Sequence, residues 1–370
     1  MLCWEGVVNS LQKLSTAGVS VWLDDLSRSR ITDGDLKKRI EKQCVVGVTT
    51  NPSIFAKSIA SSRDYDSSFK NAFSRGCTLD EAVLSVISED VSGALDLLAD
   101  SYSASKGIDG RVSIEVDPTL AYDTEGTFRS VKSIWESINK PNLYVKIPAT
   151  REGLEAISQS IASGVCVNVT LIFSLQRYRE VIDAYLTGLE RAVEAGRSIE
   201  NIFSVASFFV SRFDVYVDEQ LDNIGTPQAL HLKGRAAVAN ARLAYEVYEE
   251  AFATPRYKIL ADKGANKQRP LWASTGVKNP RYPDTCYVTN LVARDVVNTM
   301  PEATLDAVND HGEIRGDTIT GTYEDSRAIL SELAELGVNY TEVTDKLEAD
   351  GVKQFIDSWN QLKSNVRSRF

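Results

Sequence analysis

The sequence predicts an α/β fold, a single (β/α)8 TIM barrel with extra helices at the N- and C-termini, on three observations. Apolar runs of strand length recur about eight times and alternate with segments of helical period. No GxGxxG or GxxxxGK[ST] pattern follows any of these runs, which counts against a doubly wound nucleotide-binding sheet, the main competing arrangement. Several runs carry polar residues near their C-terminal ends, where barrel enzymes place their chemistry.

Taken in order, an amphipathic stretch around Val7 to Leu14 leads into Gly18 to Asp25, an apolar run ending in acids and the first candidate strand. A lysine-rich helical segment reaches Gln43, and the β-branched run from Cys44 then stops where Asn51-Pro52 forces a turn. Thr78 with Glu81 three residues on forms a capping box, opening a helix through Ala82, Val83, Val86, Ile87, Val91 and Leu95. Strands three to five are expected at Arg111 to Val116, Asn142 to Thr150 and Val165 to Ile172. Leu175 to Ala195 reads as a helix, with apolar Tyr178, Val181, Ile182, Tyr185 and Leu189 on one face.

The sixth strand is expected at Ile202 to Phe209. Thr226-Pro227, an N-cap followed by proline, then opens one long alanine-rich helix toward Tyr248. Pro270 to Thr275 is the seventh strand, and Val296 to Met300, ahead of Pro301, a weaker eighth. The remainder to Phe370 is helical in pattern, with Gly337 and Gly351 as breaks. No linker or composition shift divides the chain, so residues 1–370 read as one barrel domain with a mainly helical C-terminal extension from about residue 312.

A formal charge of −10 with scattered Lys and Arg repels a phosphate backbone on average and disfavours nucleic acid as a partner. An anionic substrate therefore needs a local cationic pocket. Five cysteines without CxxC spacing read as free thiols rather than disulfides or a zinc cluster. Only two histidines occur, His231 and His311, and neither lies in HxH or HExxH, which disfavours histidine-ligated metals and a Ser-His-Asp hydrolase. No run has the length of a membrane span, and the first residues lack the character of a secretory leader. A cytoplasmic protein is expected, or a plastid one if a targeting peptide has been removed.

The fourth strand carries Lys146 in the run Tyr144-Val145-Lys146-Ile147-Pro148. A lysine in so apolar a strand must end in a polar cavity or an ion pair, and an amine kept from water is a nucleophile for carbonyls. Alternate strand residues share a face, which groups Lys146 with Tyr144, Glu115 with Ser113, Thr170 with Asn168, and Asp24 with Trp22. The opposite parity is almost wholly apolar, so the polar set points into the barrel near its mouth. Each of these residues alone reads as a satisfied core polar group, such as a Lys146 to Glu115 pair. Together they supply an amine, carboxyls to move protons and, with Asn51, hydrogen bonds for sugar hydroxyls. Arg212 after the sixth strand, with Ser274 and Lys278 after the seventh, reads either as an anion site, where late barrel loops often hold phosphate, or as solvated surface charge.

From about Gly18 to about Pro301 the chain resembles the transaldolases. The resemblance lies in Gly47-Val48-Thr49-Thr50-Asn51-Pro52-Ser53, Ser113-Ile114-Glu115-Val116-Asp117, Tyr144 to Thr150, Asn168-Val169-Thr170-Leu171-Ile172-Phe173-Ser174 and Ala206-Ser207-Phe208-Phe209-Val210-Ser211-Arg212. It implies a metal-free and cofactor-free Schiff-base barrel of the pentose phosphate pathway acting on small sugar phosphates, as a monomer or homodimer. By resemblance Lys146 forms the Schiff base, Asp24 moves protons during C–C cleavage, and Glu115, through a water held with Thr170, assists carbinolamine dehydration. Asn51, Asn168, Ser207 and Phe209 fall at substrate positions, and Arg212 with Ser274 at the phosphate. Short members carry Ser-Phe-Arg after the seventh strand, whereas Ser274-Thr275-Gly276-Val277-Lys278 stands here, which makes Lys278 the expected second cation. Two readings compete: a fructose 6-phosphate aldolase, against which Phe209 speaks because those enzymes resemble one another in a tyrosine there, and a non-catalytic sugar-phosphate binder.

Overall fold

The computed structural model describes residues 9–370. Eight parallel strands close into a barrel in chain order. They are β1 (Val19–Leu23), β2 (Val45–Val48), β3 (Arg111–Glu115), β4 (Leu143–Pro148), β5 (Val167–Ile172), β6 (Ser204–Phe209), β7 (Arg269–Ala273) and β8 (Val296–Met300). Helices cover the outside and side chains fill the inside, so the strands read as nearly continuous apolar runs. β1 and β8 stay in register from Val19 opposite Val296 to Leu23 opposite Met300, which closes the cylinder.

The N-terminal end of the barrel is plugged. Arg111, wholly buried, donates to the carbonyls of Gly107 and Pro141 and lies against the rings of Tyr102, Tyr144 and Phe203, with its guanidinium carbon 5.0, 4.8 and 4.4 Å from their centres. Trp22 and Tyr144 meet above it at 6.1 Å, and Gly47 leaves room for the indole, since a Cβ there would fall 2.3 Å from Trp22. The opposite end stays open for the polar residues at the strand C-termini.

The capping box at Thr78 and Glu81 starts the helix Leu79–Leu97, with Glu81 accepting from the Thr78 N–H at 2.8 Å. The first helix runs Ser10–Thr16, capped by Asn9 and Gln12; Val7, where the expected stretch began, lies outside the described residues. Two expectations are corrected. The helix expected from Thr226 to Tyr248 is two, Pro227–Leu232 and Ala236–Phe252. The chain turns at Gly234, which has φ +72° and no space for a side chain beneath the Tyr282 ring. Gly351 is no break: it lies inside the final helix, Tyr340–Arg369. A Cβ at Gly351 would meet Leu171 at 3.0 Å, so glycine serves close approach to the barrel rather than termination.

That final helix crosses the barrel mouth. At its start the Tyr340 hydroxyl accepts from the Leu175 N–H and donates to Asn240. At its end Arg369 donates to the Ile59 and Ser62 carbonyls and pairs with Asp66. Gly337, as expected, separates it from the helix Tyr323–Glu335. Among the described residues no helix is long and apolar enough to cross a membrane.

Candidate active site

The strand register sets the first elements of the site side by side. Glu115 pairs across to Lys146, and Lys146 to Asn168, in three neighbouring strands. Lys146 is only 4% exposed, and its Nζ donates to the Thr50 carbonyl at 2.9 Å. The Glu115 carboxyl lies 3.5 Å away, an ion-pair distance, and both of its buried oxygens lack a hydrogen-bond partner among the described residues. Burial pushes the Glu115 carboxyl up to about 7 against the pull of Lys146. Thr170, two residues along β5 from Asn168, likewise buries an unpartnered hydroxyl. Three orphaned polar atoms near one amine are costly for packing alone and suit a proton-transfer site.

Asp24 follows β1 directly, and its N–H donates to the Met300 carbonyl of β8. Its Oδ1 accepts from Thr49 at 2.6 Å, and the Thr49 hydroxyl lies 2.6 Å from that of Thr299. Burial raises its pKa, while the Thr49 hydrogen bond and then the charge of Lys146 lower it. The carboxyl is thereby oriented from one side with its second oxygen left over. Across the barrel, Asn168 donates to Ser113 at 3.0 Å and accepts from Ser207 at 2.7 Å. Asn51 caps the helix Pro52–Ser61 through Oδ1, which receives the N–H groups of Ser53 and Ile54, and its NH2 has no partner among the described residues.

The outer end is cationic. Arg212 stands in the first turn of the helix Ser211–Ile224, 5.4 Å over the Phe209 ring, and forms no ion pair among the described residues. Burial lowers its pKa, opposed by the charges of Asp24 and Glu115. Ser274 is held at φ +55° by the Ser211 N–H and hydroxyl, at 3.0 and 2.9 Å. Lys278 is exposed four residues later and is likewise unpaired among the described residues. A pocket of about 390 Å³ is lined by nine of the expected residues: Asp24, Asn51, Lys146, Thr170, Ser207, Phe209, Arg212, Ser274 and Lys278. Glu115 and Asn168 do not line it; they sit beneath, bonded or paired to residues that do. A groove of about 800 Å³ adjoins it, but Arg30 there is committed to Asp25, Asp35 and Glu302.

A buried amine, flanking carboxyls and distal cations are the parts a phosphorylated carbonyl substrate would meet. Over residues 21–366 the sequence matches the family described as Transaldolase/Fructose-6-phosphate aldolase. The chain belongs to this transaldolase/fructose-6-phosphate aldolase family. It is 54% identical to a transaldolase of Parafrankia sp. over 97% of both chains, and 56% identical to one of Arthrobacter sp. over 96% of both. A transaldolase of Mycobacterium tuberculosis is 54% identical over 97% of this chain and 96% of its own.

Eight residues that line the pocket in this family member escaped the sequence reading, and four of them bear on Asp24 or enclose Lys146. Thr49 and Thr299 line it beside Asp24. Thr49 ends the run that leads to Asn51-Pro52, and that strand-end position is its only signal in the sequence. Gln354 and Phe355 come from the final helix, with the Phe355 ring 5.9 Å from the Lys146 Nζ. No strand parity reaches them, because they arrive from the final helix, far along the chain from Lys146.

Proposed function

We infer that this protein is a transaldolase of the non-oxidative pentose phosphate pathway. It transfers a dihydroxyacetone unit from sedoheptulose 7-phosphate to glyceraldehyde 3-phosphate, giving erythrose 4-phosphate and fructose 6-phosphate. The observation that carries the reading is one buried lysine flanked by the buried carboxyl of Glu115 and the half-buried carboxyl of Asp24, in a pocket whose far end holds two cations that form no ion pair among the described residues. The Lys146 amine, in its neutral form, attacks the ketose carbonyl to form a carbinolamine. Glu115, with a water shared with Thr170, delivers the proton that releases hydroxide as water and leaves the iminium. A carboxyl held near neutrality by burial is suited to give and retake that proton.

Asp24 then takes the proton of the C4 hydroxyl, and the C3–C4 bond breaks with its electrons drawn into the iminium. The product is a neutral enamine and a free aldose phosphate. Asn51 and Ser207 hold the hydroxyls of the retained fragment, with Asn168 bonded to Ser207 from beneath, while Arg212, Ser274 and Lys278 hold the phosphate of the aldose that leaves and of the one that replaces it. Phe209 has no hydroxyl to protonate the enamine, which favours transfer over release as dihydroxyacetone. The acidic surface and local cations support small sugar phosphates rather than nucleic acid as partners, in a cytoplasmic monomer or homodimer.

The test supplies fructose 6-phosphate with and without erythrose 4-phosphate and follows all products. Sedoheptulose 7-phosphate and glyceraldehyde 3-phosphate should form only when both sugars are present. Cleavage to free dihydroxyacetone at the same rate without the acceptor would make the protein an aldolase, and no turnover would make it a binder.

A further inference from the structure

Asp214 and Asp218 stand one turn apart on the helix Ser211–Ile224, and both are buried. Neither forms an ion pair among the described residues. Burying an acid without a cation is costly unless hydrogen bonds satisfy it, and each of these accepts two. Asp214 receives the Ala237 N–H at 2.7 Å and the Tyr287 hydroxyl at 2.7 Å. Asp218 receives the Gly234 N–H at 2.9 Å and the Tyr282 hydroxyl at 2.5 Å. The pattern repeats: one backbone N–H from the start of the helix Ala236–Phe252 or the turn before it, and one tyrosine from the segment after β7.

That segment carries Lys278. Tyr282 lies four residues beyond it, and its ring packs on Gly234 so closely that a Cβ there would sit 2.7 Å away. Lys278 lines both the catalytic pocket and a cavity of about 380 Å³ behind it, whose walls include Asp214, Asp218, Tyr282 and Tyr287. The same helix bears Arg212 in its first turn and touches Ser274 through Ser211. One helix thus presents the first cation itself and moors, through two carboxylates, the loop that presents the second.

The geometry points to Asp218 and Tyr282 as positioning residues for phosphate recognition: their hydrogen bond holds residues 274–285 so that Lys278 and Arg212 close on one phosphate, which sets the preference for phosphorylated over unphosphorylated acceptors. This rests on the reading of Lys278 and Arg212 as the phosphate cations. A charge-assisted hydrogen bond suits the purpose because it is directional, whereas apolar packing would let a glycine- and proline-containing loop shift.

The acceptor half-reaction isolates the effect. The aldose phosphate of the donor has already left when the acceptor enters, so the ratio of kcat/KM for glyceraldehyde 3-phosphate to that for glyceraldehyde reads the phosphate contacts alone. Tyr282→Phe removes one oxygen and should lower the ratio about three- to tenfold, with kcat/KM for glyceraldehyde within twofold of wild type. Asp218→Asn should lower it similarly, and the double variant no further than the worse single one. Lys278→Ala is measured beside them. If it loses the ratio while Tyr282→Phe keeps it, the mooring is wrong and the phosphate assignment stands. If Lys278→Ala keeps the wild-type ratio, the phosphate assignment itself has failed and the mooring falls with it. Equal loss with both acceptors in Tyr282→Phe would reduce the bond to a structural one and overturn the inference.

Discussion

Lys146 and Glu115 are each buried at a cost, and a buried ion pair contributes little net stability over apolar side chains of the same volume. The proposed chemistry explains their presence, and the cost should show in the pH dependence of folding. The Glu115 pKa is raised from 4.5 to about 7 by burial. Below 4.5 the acid is protonated both folded and unfolded, and its preference for the protonated fold is fully present. Between 4.5 and about 7 the unfolded chain gives up the proton while the fold keeps it, so this contribution is lost as pH rises. Glu115→Gln removes the titration, so its thermal midpoint minus that of wild type should grow from pH 4.5 to 7.5 and then level. A difference independent of pH would show that Glu115 is ionised throughout. Such residues were legible in the sequence because a charge in an apolar strand has few benign explanations. The Thr49 and Thr299 hydroxyls that orient Asp24 were not singled out, since threonine is ordinary in strands.

At the scale of elements, all eight strands were legible, because parallel strands covered on both faces appear as apolar runs with turn residues between them. Helix ends decided by local capping were legible too, as at Thr78. Gly234, inside a stretch expected as one helix, and Gly351, expected as a break, depend on distant partners. Gly234 breaks a helix where Tyr282 and Asp218 meet it, and Gly351 continues one because Leu171 lies beneath. A mid-helix glycine costs about 1 kcal/mol relative to alanine, which the close seat on the barrel offsets. The seat brings Phe355 over Lys146, with the ring 5% exposed. Phe355→Ala should lower stability by about 3 kcal/mol and let water reach the enamine, so free dihydroxyacetone should rise relative to transferred product. The same assay with and without acceptor measures the partition. An unchanged partition at reduced stability would leave Phe355 as packing alone.

For the whole molecule, a net charge of −10 is compatible with the proposed phosphate site because Arg212 and Lys278 form no ion pair among the described residues while many other arginines and lysines are paired. Closure of the barrel is what unites the site: Asp24 from β1 and Ser274 from β7 become neighbours of β8 from opposite ends of the sequence. The final helix then returns across the opening, tied at both ends, and supplies the last wall. The barrel could be read from its alternating elements, but the covering helix could not, because its path is set by tertiary contacts. The proposed function converges on one bond, between the Lys146 nitrogen and a ketose carbon. Borohydride reduction with fructose 6-phosphate, followed by intact mass and peptide mapping, tests it directly in wild type and in Lys146→Ala. A dihydroxyacetone-sized adduct on Lys146, absent from the folded variant, is the predicted result. A folded wild-type protein that turns over the sugar without an adduct, or an adduct on another lysine, would contradict the account.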